Sequence, residues 1–455
     1  MNNNKKNYRK LEHSTEEKAC INSGYISNHV SSPSLHSSNT RFKFLAASSN
    51  PPALVCLSHL RWDFVYQRPQ HLLTRCAKER PVFFIEEPIF GSYPASRMEI
   101  SRRESGVWVV VPHLPEGLSA EAVAAAQQLL IDELFAEQEI YQYILWYYTP
   151  MAMSFTRHLK PIAVVYDCMD ELSLFAGAPP ALKKCEAELF KCADLVFTGG
   201  QSLYESKVNQ HPNVYAFPSS IDRAHFAQAR NFTGEPADQA DILHPRLGFF
   251  GVIDERMDLD LLSGIAQARP DWHLVIIGPV VKIDPAILPR QENIHYLGGK
   301  SYQELPTYVA GWNVALLPFA HNESTRFISP TKTPEYLAAG KPVVSTSIRD
   351  VVRPYGQLGL VRIADTVTEF VAATEEAMNQ NHASNWLAQV DAFLAQTSWD
   401  STWGRMIQLV ESAMSDRVGL ASGQENGIIA PVQAAKRSAV KRSTSIVASD
   451  FVSKD

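Results

Sequence analysis

The chain has 455 residues, of which 45% are hydrophobic and 20% charged, and a formal net charge of −6. That length exceeds what one hydrophobic core usually serves, so two domains are expected. An acidic balance without a basic stripe argues against a general nucleic-acid binder. No run approaches the roughly 18 apolar residues of a spanning helix, and the polar first fifty residues lack the apolar core of a secretory signal. A cytoplasmic protein with at most peripheral membrane contact is the expectation. Its six cysteines show no Cys-x-x-Cys spacing and its 14 histidines no His-Glu-x-x-His pattern, so a reducing compartment and no metal or other cofactor are expected.

In chain order, residues 1–50 read as a disordered tail, because their Ser- and Asn-rich composition cannot bury enough apolar surface to offset ordering. Short β-branched or aromatic runs then alternate with helical stretches, the pattern of βα units around parallel sheets. Residues 51–222 hold the strands Ala53–Leu57, Val82–Glu86, Val107–Val111, Tyr143–Trp146, Ala163–Asp167, Leu195–Thr198 and Val214–Phe217. A polar interval, 223–244, reads as a linker. The pattern restarts over 245–395 with Arg246–Phe250, His273–Ile277, Ile294–Tyr296, Val314–Leu317, Pro342–Ser345 and Leu360–Ile363. An amphipathic stretch at 396–414 is expected to be a helix, and 415–455 a second tail. That tail's basic pairs Lys436-Arg437 and Lys441-Arg442 are solvated or touch acidic lipid.

In doubly wound sheets, ligands bind beyond the carboxyl ends of the strands, so the loops there are the candidate site. The loop after the first strand concentrates His59, Arg61, Trp62, Asp63, Tyr66, Gln67 and Arg68. Aromatic faces beside hydrogen-bonding groups suit a sugar, and Arg68 has the reach for a phosphate, although core packing would equally explain Trp62 and Tyr66. Asp167 and Asp170 end a later strand and are candidates for binding acceptor hydroxyls or assisting proton transfer; hydrogen-bonded loop structure is the alternative. The turn Gly199-Gly200-Gln201-Ser202 is suited to capping the next helix.

The second unit opens with a strand running into Gly251, where backbone can approach a ligand closely, followed by the cation Arg256; Gly278 ends the next strand. The most informative stretch is Ser329-Pro-Thr-Lys-Thr-Pro-Glu-Tyr-Leu-Ala-Ala-Gly-Lys-Pro-Val-Val344. Ser329 and Pro330 end a loop, Thr331 to Gly340 reads as a short helix, and Gly340 stops it. Free amides at Thr331, Lys332 and Thr333, together with the Lys332 charge, are suited to a diphosphate. Glu335 is placed to accept two hydrogen bonds from ribose hydroxyls, or only to stabilise the helix dipole.

This stretch resembles the donor-binding element of GT-B glycosyltransferases, in particular the large retaining family with a Glu-x7-Glu motif followed by Ala, Gly and Pro-Val-Val. The resemblance implies two Rossmann-like domains facing across a cleft, an N-terminal acceptor domain, a C-terminal nucleotide-sugar donor domain, and a last helix crossing back to the first domain. It implies that Glu335 binds the ribose; in place of a metal, the helix start with Lys332 or Arg256 is expected to neutralise the leaving diphosphate. The family's first motif glutamate falls on Phe327, with Asn322 and Glu323 as nearby polar groups, and its usual arginine after the glycine turn falls on Val252. Gln-Arg-Pro-Gln-His, from Gln67 to His71, resembles the first helix of a subset of cell-surface polysaccharide glycosyltransferases that includes the teichuronic acid type.

The function so implied is transfer of a sugar from a UDP-, GDP- or TDP-linked donor to a glycan or lipid-linked acceptor without a metal. Asp167, Asp170 and Lys332 are the candidate catalytic groups. The donor set is Gly251, Arg256, Gly278, Ser329, Pro330, Thr331, Lys332, Thr333 and Glu335; the acceptor set is His59, Arg61, Trp62, Asp63, Tyr66 and Arg68. Two alternatives stay open, a nucleotide-sugar epimerase of the same fold and a catalytically silent sugar-nucleotide-binding module.

Overall fold

A computed structural model describes residues 51–380 and 384–424. The first sheet contains β1 (Ala53–Leu57), β2 (Val82–Ile85), β3 (Ile89–Gly91), β4 (Arg97–Arg102), β5 (Trp108–Pro115), β6 (Tyr143–Tyr147), β7 (Ala163–Cys168), β8 (Leu195–Thr198) and β9 (Val214–Ala216). Its order is β3-β5-β2-β1-β6-β7-β8-β9, with β4 antiparallel on β5. The second contains β10 (Arg246–Phe250), β11 (His273–Ile277), β12 (Ile294–Tyr296), β13 (Val314–Leu317), β14 (Val343–Ser345) and β15 (Arg362–Ile363). These are all parallel, in the order β12-β11-β10-β13-β14-β15.

Every residue of β1, β6, β7 and β10 is buried, as strands covered by helices on both faces must be. The two strands absent from the sequence reading, β3 and β4, lie at the edge and are largely exposed. Without a buried face they leave no hydrophobic run to read. In each sheet the chain crosses from one side of its first strand to the other, between β1 and β6 and between β10 and β13. Loops diverge at such points and open a crevice at the strands' carboxyl ends.

The interval 223–244, expected to be a linker, is folded into the second core. It contains the helices Arg223–Ala227 and Ala237–Ala240, and Phe226, Ala229 and Ile242 pack in that core. Its polar residues are anchors: Glu235 pairs with the buried Arg246 at 2.6 Å, and Gln239 accepts from the Trp312 indole at 3.0 Å. The interval's polarity thus supplies buried hydrogen bonds in place of a linker.

The last helix, Trp399–Gln424, returns to the first sheet. Trp399, Trp403, Met406, Ile407 and Val410 share a core cluster with Leu54, Cys56, Trp146 and Phe197. Arg75–Asp400 and Arg417–Asp194 pairs flank it. The helix continues past Met414, so 415–424 is helical rather than part of a tail. The remaining tail expectations, 1–50 and 425–455, lie outside the described residues. No described helix is long and apolar enough to cross a membrane.

Close packing in the second sheet is tightest at Gly248, where an added Cβ would lie 1.8 Å from the Trp312 ring. Gly248→Ala is therefore expected to cost about 3 kcal/mol, the upper part of the overpacking range, seen as a lower midpoint in urea unfolding. An unchanged midpoint would show that Trp312 moves aside freely.

Candidate functional site

A cleft of about 680 Å³ lies between the carboxyl ends of the two sheets, lined by residues of both. On the second-sheet side its floor is made by two glycines at positive φ, Gly251 at 137° and Gly278 at 148°. A Cβ at Gly278 would lie 1.8 Å from the Gly251 carbonyl oxygen, and one at Gly251 would lie 2.1 Å from Lys332 Cε. Gly278 is therefore required for space as well as for backbone conformation, whereas Gly251 is required by its backbone conformation and by the seat of the Lys332 side chain.

The Lys332–Ala338 helix presents its first turn to the cleft, and Ser329, Pro330, Thr331, Lys332 and Glu335 all line it. Lys332 Nζ sits 5.5 Å from the Phe249 ring centre and 5.9 Å from that of Phe319. Among the described residues it forms no salt bridge. Burial pushes the Lys332 ammonium down, with Arg256 adding to that shift, while Glu335 opposes it. Burial likewise pushes the Glu335 carboxyl up, against the Lys332 charge. Glu335 is buried and Lys332 half-buried, and among the described residues neither side chain has a hydrogen-bond or ion-pair partner, an arrangement that a polar anionic ligand would complete.

Two donor expectations change. Thr333 is fully buried and its amide donates to the Pro330 carbonyl at 3.2 Å, because the chain tightens into a turn before the helix; Thr333 therefore does not line the cleft. Arg256 does line it, but its guanidinium is held by the buried Asp254 carboxylate at 2.6 Å. Asp254 is consequently a support for Arg256 and not an exposed turn residue.

On the first-sheet side, Trp62, Asp63, Phe64, Tyr66 and Gln67 line the cleft. Their loop is pinned: Trp62 N–H donates to Glu86 at 2.8 Å, Gln70 donates to the Trp62 carbonyl at 2.7 Å, and Asp63 pairs with Arg103 at 2.6 Å. The Trp62 ring packs edge-on against Phe84. His59 and Arg61 do not reach the cleft. Arg61 is tied to Glu86 and to the Glu87 carbonyl, and burial lowers the His59 imidazole to about 4, so it is neutral at physiological pH.

The Arg68 and Asp167 expectations are corrected together. Arg68 donates to both oxygens of the fully buried Asp167, at 3.1 and 3.0 Å, and to the Phe217 carbonyl at 2.7 Å. The pair joins the first helix to β7; Arg68 borders the cleft, but its guanidinium is engaged by Asp167 and the Phe217 carbonyl, and Asp167 does not line the cleft. Asp170, three residues on, does line the cleft. Its carboxyl is pushed up to about 6, chiefly by burial, with Arg256 working against the shift and Asp254 with it. Phe327 packs against the first-sheet core, while Asn322 caps a turn and Glu323 pairs with Arg326; none of the three lines the cleft.

Sequence reasoning missed Tyr302. It stacks on Tyr66 across the cleft with ring centres 4.5 Å apart and on His225 at 4.3 Å. Its hydroxyl is buried without a partner, and burial followed by the Glu335 charge raises its pKa. Its only sequence signal is its place in a loop after β12. It joins the site because the fold brings the 299–303 loop against Tyr66.

Residues 244–380 match the family model described as Glycosyl transferases group 1. The chain thus has the GT-B fold, and its second sheet lies within the residues that match the group 1 glycosyl transferase model. Among curated proteins it is similar to TuaH of Bacillus subtilis (strain 168), a glycosyltransferase assigned to teichuronic acid biosynthesis. Identity is 24% over 260 residues, covering 52% of this chain and 64% of TuaH, so the match spans less than two thirds of that relative. Among solved structures, sucrose-phosphate synthase from Thermosynechococcus elongatus is similar with a TM-score of 0.58 at 12% identity, over 80% of this chain and 100% of that one. Anabaena HepE in complex with UDP and glucose gives 0.55 at 13% identity, over 79% and 99%. At these identities the structures establish the fold.

Two outcomes check the site assignments. Arg68→Ala should destabilise the protein by about 3–5 kcal/mol by stranding a buried carboxylate, and adding Asp167→Leu should recover part of that loss in chemical denaturation. For Asp170, the raised pKa means the folded state holds its proton more tightly than the unfolded chain. The wild type should therefore lose stability relative to Asp170→Asn as pH rises from about 4 to 6, by on the order of 1–2 kcal/mol. Parallel thermal melts at pH 4 and pH 7 would show it, and a pH-independent difference would contradict it.

Proposed function

We propose that this protein transfers a sugar from a nucleoside-diphosphate sugar to a hydroxyl group of a glycan or lipid-linked acceptor, in the synthesis of a cell-surface polysaccharide. The observation that carries the reading is the half-buried Lys332 ammonium over the Gly251–Gly278 floor, unpaired among the described residues, with the buried Glu335 one helical turn away. A diphosphate against Lys332 and the helix start would satisfy that charge, and Glu335 would accept from the ribose hydroxyls. The group 1 domain match, the TuaH similarity and the UDP and glucose bound by HepE all support this reading.

In the proposed reaction, the acceptor oxygen attacks the anomeric carbon while the bond from that carbon to the diphosphate breaks. Lys332 and Arg256 offset charge growing on the leaving phosphate. The pinned Trp62–Gln67 loop holds the acceptor in place, converting an encounter into an oriented attack. Asp170 is the cleft carboxyl suited to the acceptor proton, since its pKa of about 6 lies close to working pH. No cofactor enters this scheme, and the cytoplasm, where nucleotide sugars serve as donors, is the proposed setting.

One observation favours a second reading, a silent sugar-nucleotide-binding module: Phe327 faces the core and supplies no carboxylate to the sugar subsite. Turnover separates the two. With a panel of UDP-, GDP- and TDP-sugars, the transferase should release free sugar slowly, whereas the silent module binds without turnover. Lys332→Ala and Glu335→Ala should each weaken nucleoside diphosphate binding about 10- to 100-fold, the loss of one charge-assisted contact. Calorimetry showing wild-type affinity in Glu335→Ala would reject the site.

A further inference from the structure

The two sides of the cleft meet directly at Asp350, a residue outside the cleft lining and without a role in the scheme above. It follows β14, yet its carboxylate accepts from the Ser202 backbone amide at 2.9 Å, at the start of the Gln201–Lys207 helix behind β8. The contact is buried and joins residues 148 apart in sequence. Gly200 is the matching surface: a Cβ there would lie 2.3 Å from Asp350 Oδ2 and 2.8 Å from Ser329 Cβ. Alongside, the Ser219 hydroxyl donates to the Ser329 carbonyl at 3.1 Å. Ser329 is the first residue of the segment that leads into Lys332. The first half of the chain therefore touches that segment at two points, and Asp350 holds the surfaces together.

Exposed ion pairs surround this contact, Arg349 and Arg353 with Glu205 at 3.0 and 3.2 Å. Such pairs contribute little individually. A buried carboxylate bonded to a backbone amide contributes more, because its loss leaves the amide without a partner away from water.

We infer that Asp350 is a positioning residue for donor binding: by bridging to Ser202 it seats Ser329 against Gly200 and Ser219, and so fixes the 329–332 segment for the diphosphate. This rests on the donor reading above but is tested separately from it. The affinity of whichever of UDP, GDP and TDP the wild type binds most tightly is measured calorimetrically in the full chain. If the wild type binds none of them, the donor reading itself fails. If it binds, Asp350→Ala is expected to weaken binding at least fivefold. Gly200→Ala, which wedges the same contact from the opposite side, should do likewise. Asp350→Asn, whose amide oxygen still accepts from Ser202, should stay within about twofold of wild type, and Glu205→Gln, which removes only the exposed pairs, should leave affinity unchanged. Wild-type affinity in Asp350→Ala overturns the inference, as does an Asp350→Asn variant no better than Asp350→Ala. Should Asp350→Ala not fold, Ser219→Ala decides: weaker nucleotide binding supports the inference and unchanged binding overturns it.

Discussion

The Lys332 ammonium occupies space that a side chain at position 251 would need, and the Gly251 carbonyl occupies space that a side chain at position 278 would need. This double close approach, at the point where the chain crosses from one side of β10 to the other, brings a half-buried cation to the mouth of the crevice. Glu335 is carried there by the same helix, and Tyr302 by the loop beyond β12. A larger residue at position 251 would displace the end of the Lys332 side chain, and one at position 278 would collide with the Gly251 backbone.

The facing wall is built on a different principle. The Trp62–Gln67 loop has no regular structure, so its shape comes from side chains that reach back to neighbouring strands and helices. Glu86 at the end of β2 accepts from both Arg61 and the Trp62 amide, and the Arg68–Asp167 pair clamps the start of the first helix to β7. Charges that seemed suited to substrate are used to hold the loop still. What this wall presents to the cleft is the aromatic rings of Trp62, Phe64 and Tyr66 with the carboxylates of Asp63 and Asp170. The division of labour between the two walls thus follows from which charges are already paired.

Several segments joined by no local sequence pattern complete this arrangement. The terminal helix, entering the first core through Trp399 and Trp403, and the folded 223–244 interval, entering the second, tie the two sheets into one continuous body. Asp350 and Ser219 add contacts right beside the segment that carries Lys332. The cleft is therefore bordered by elements whose positions are set from both sides.

Much of the fold was legible because parallel strands buried on both faces leave continuous apolar runs. Those of β10 through β13 were located to the residue, whereas the exposed edge strands β3 and β4 left no such trace. The Ser329–Glu335 segment was legible for a related reason: a helix start, a lysine and a glycine stop are local features that follow from chain stereochemistry. What tertiary structure alone decided was the long-range pairing of charges. Arg68 with Asp167 and Asp350 with Ser202 depend on distances across the fold, and a charged residue looks the same in sequence whether it faces a ligand or a partner. Lys332 and Glu335 stand out only once the other charges have found theirs.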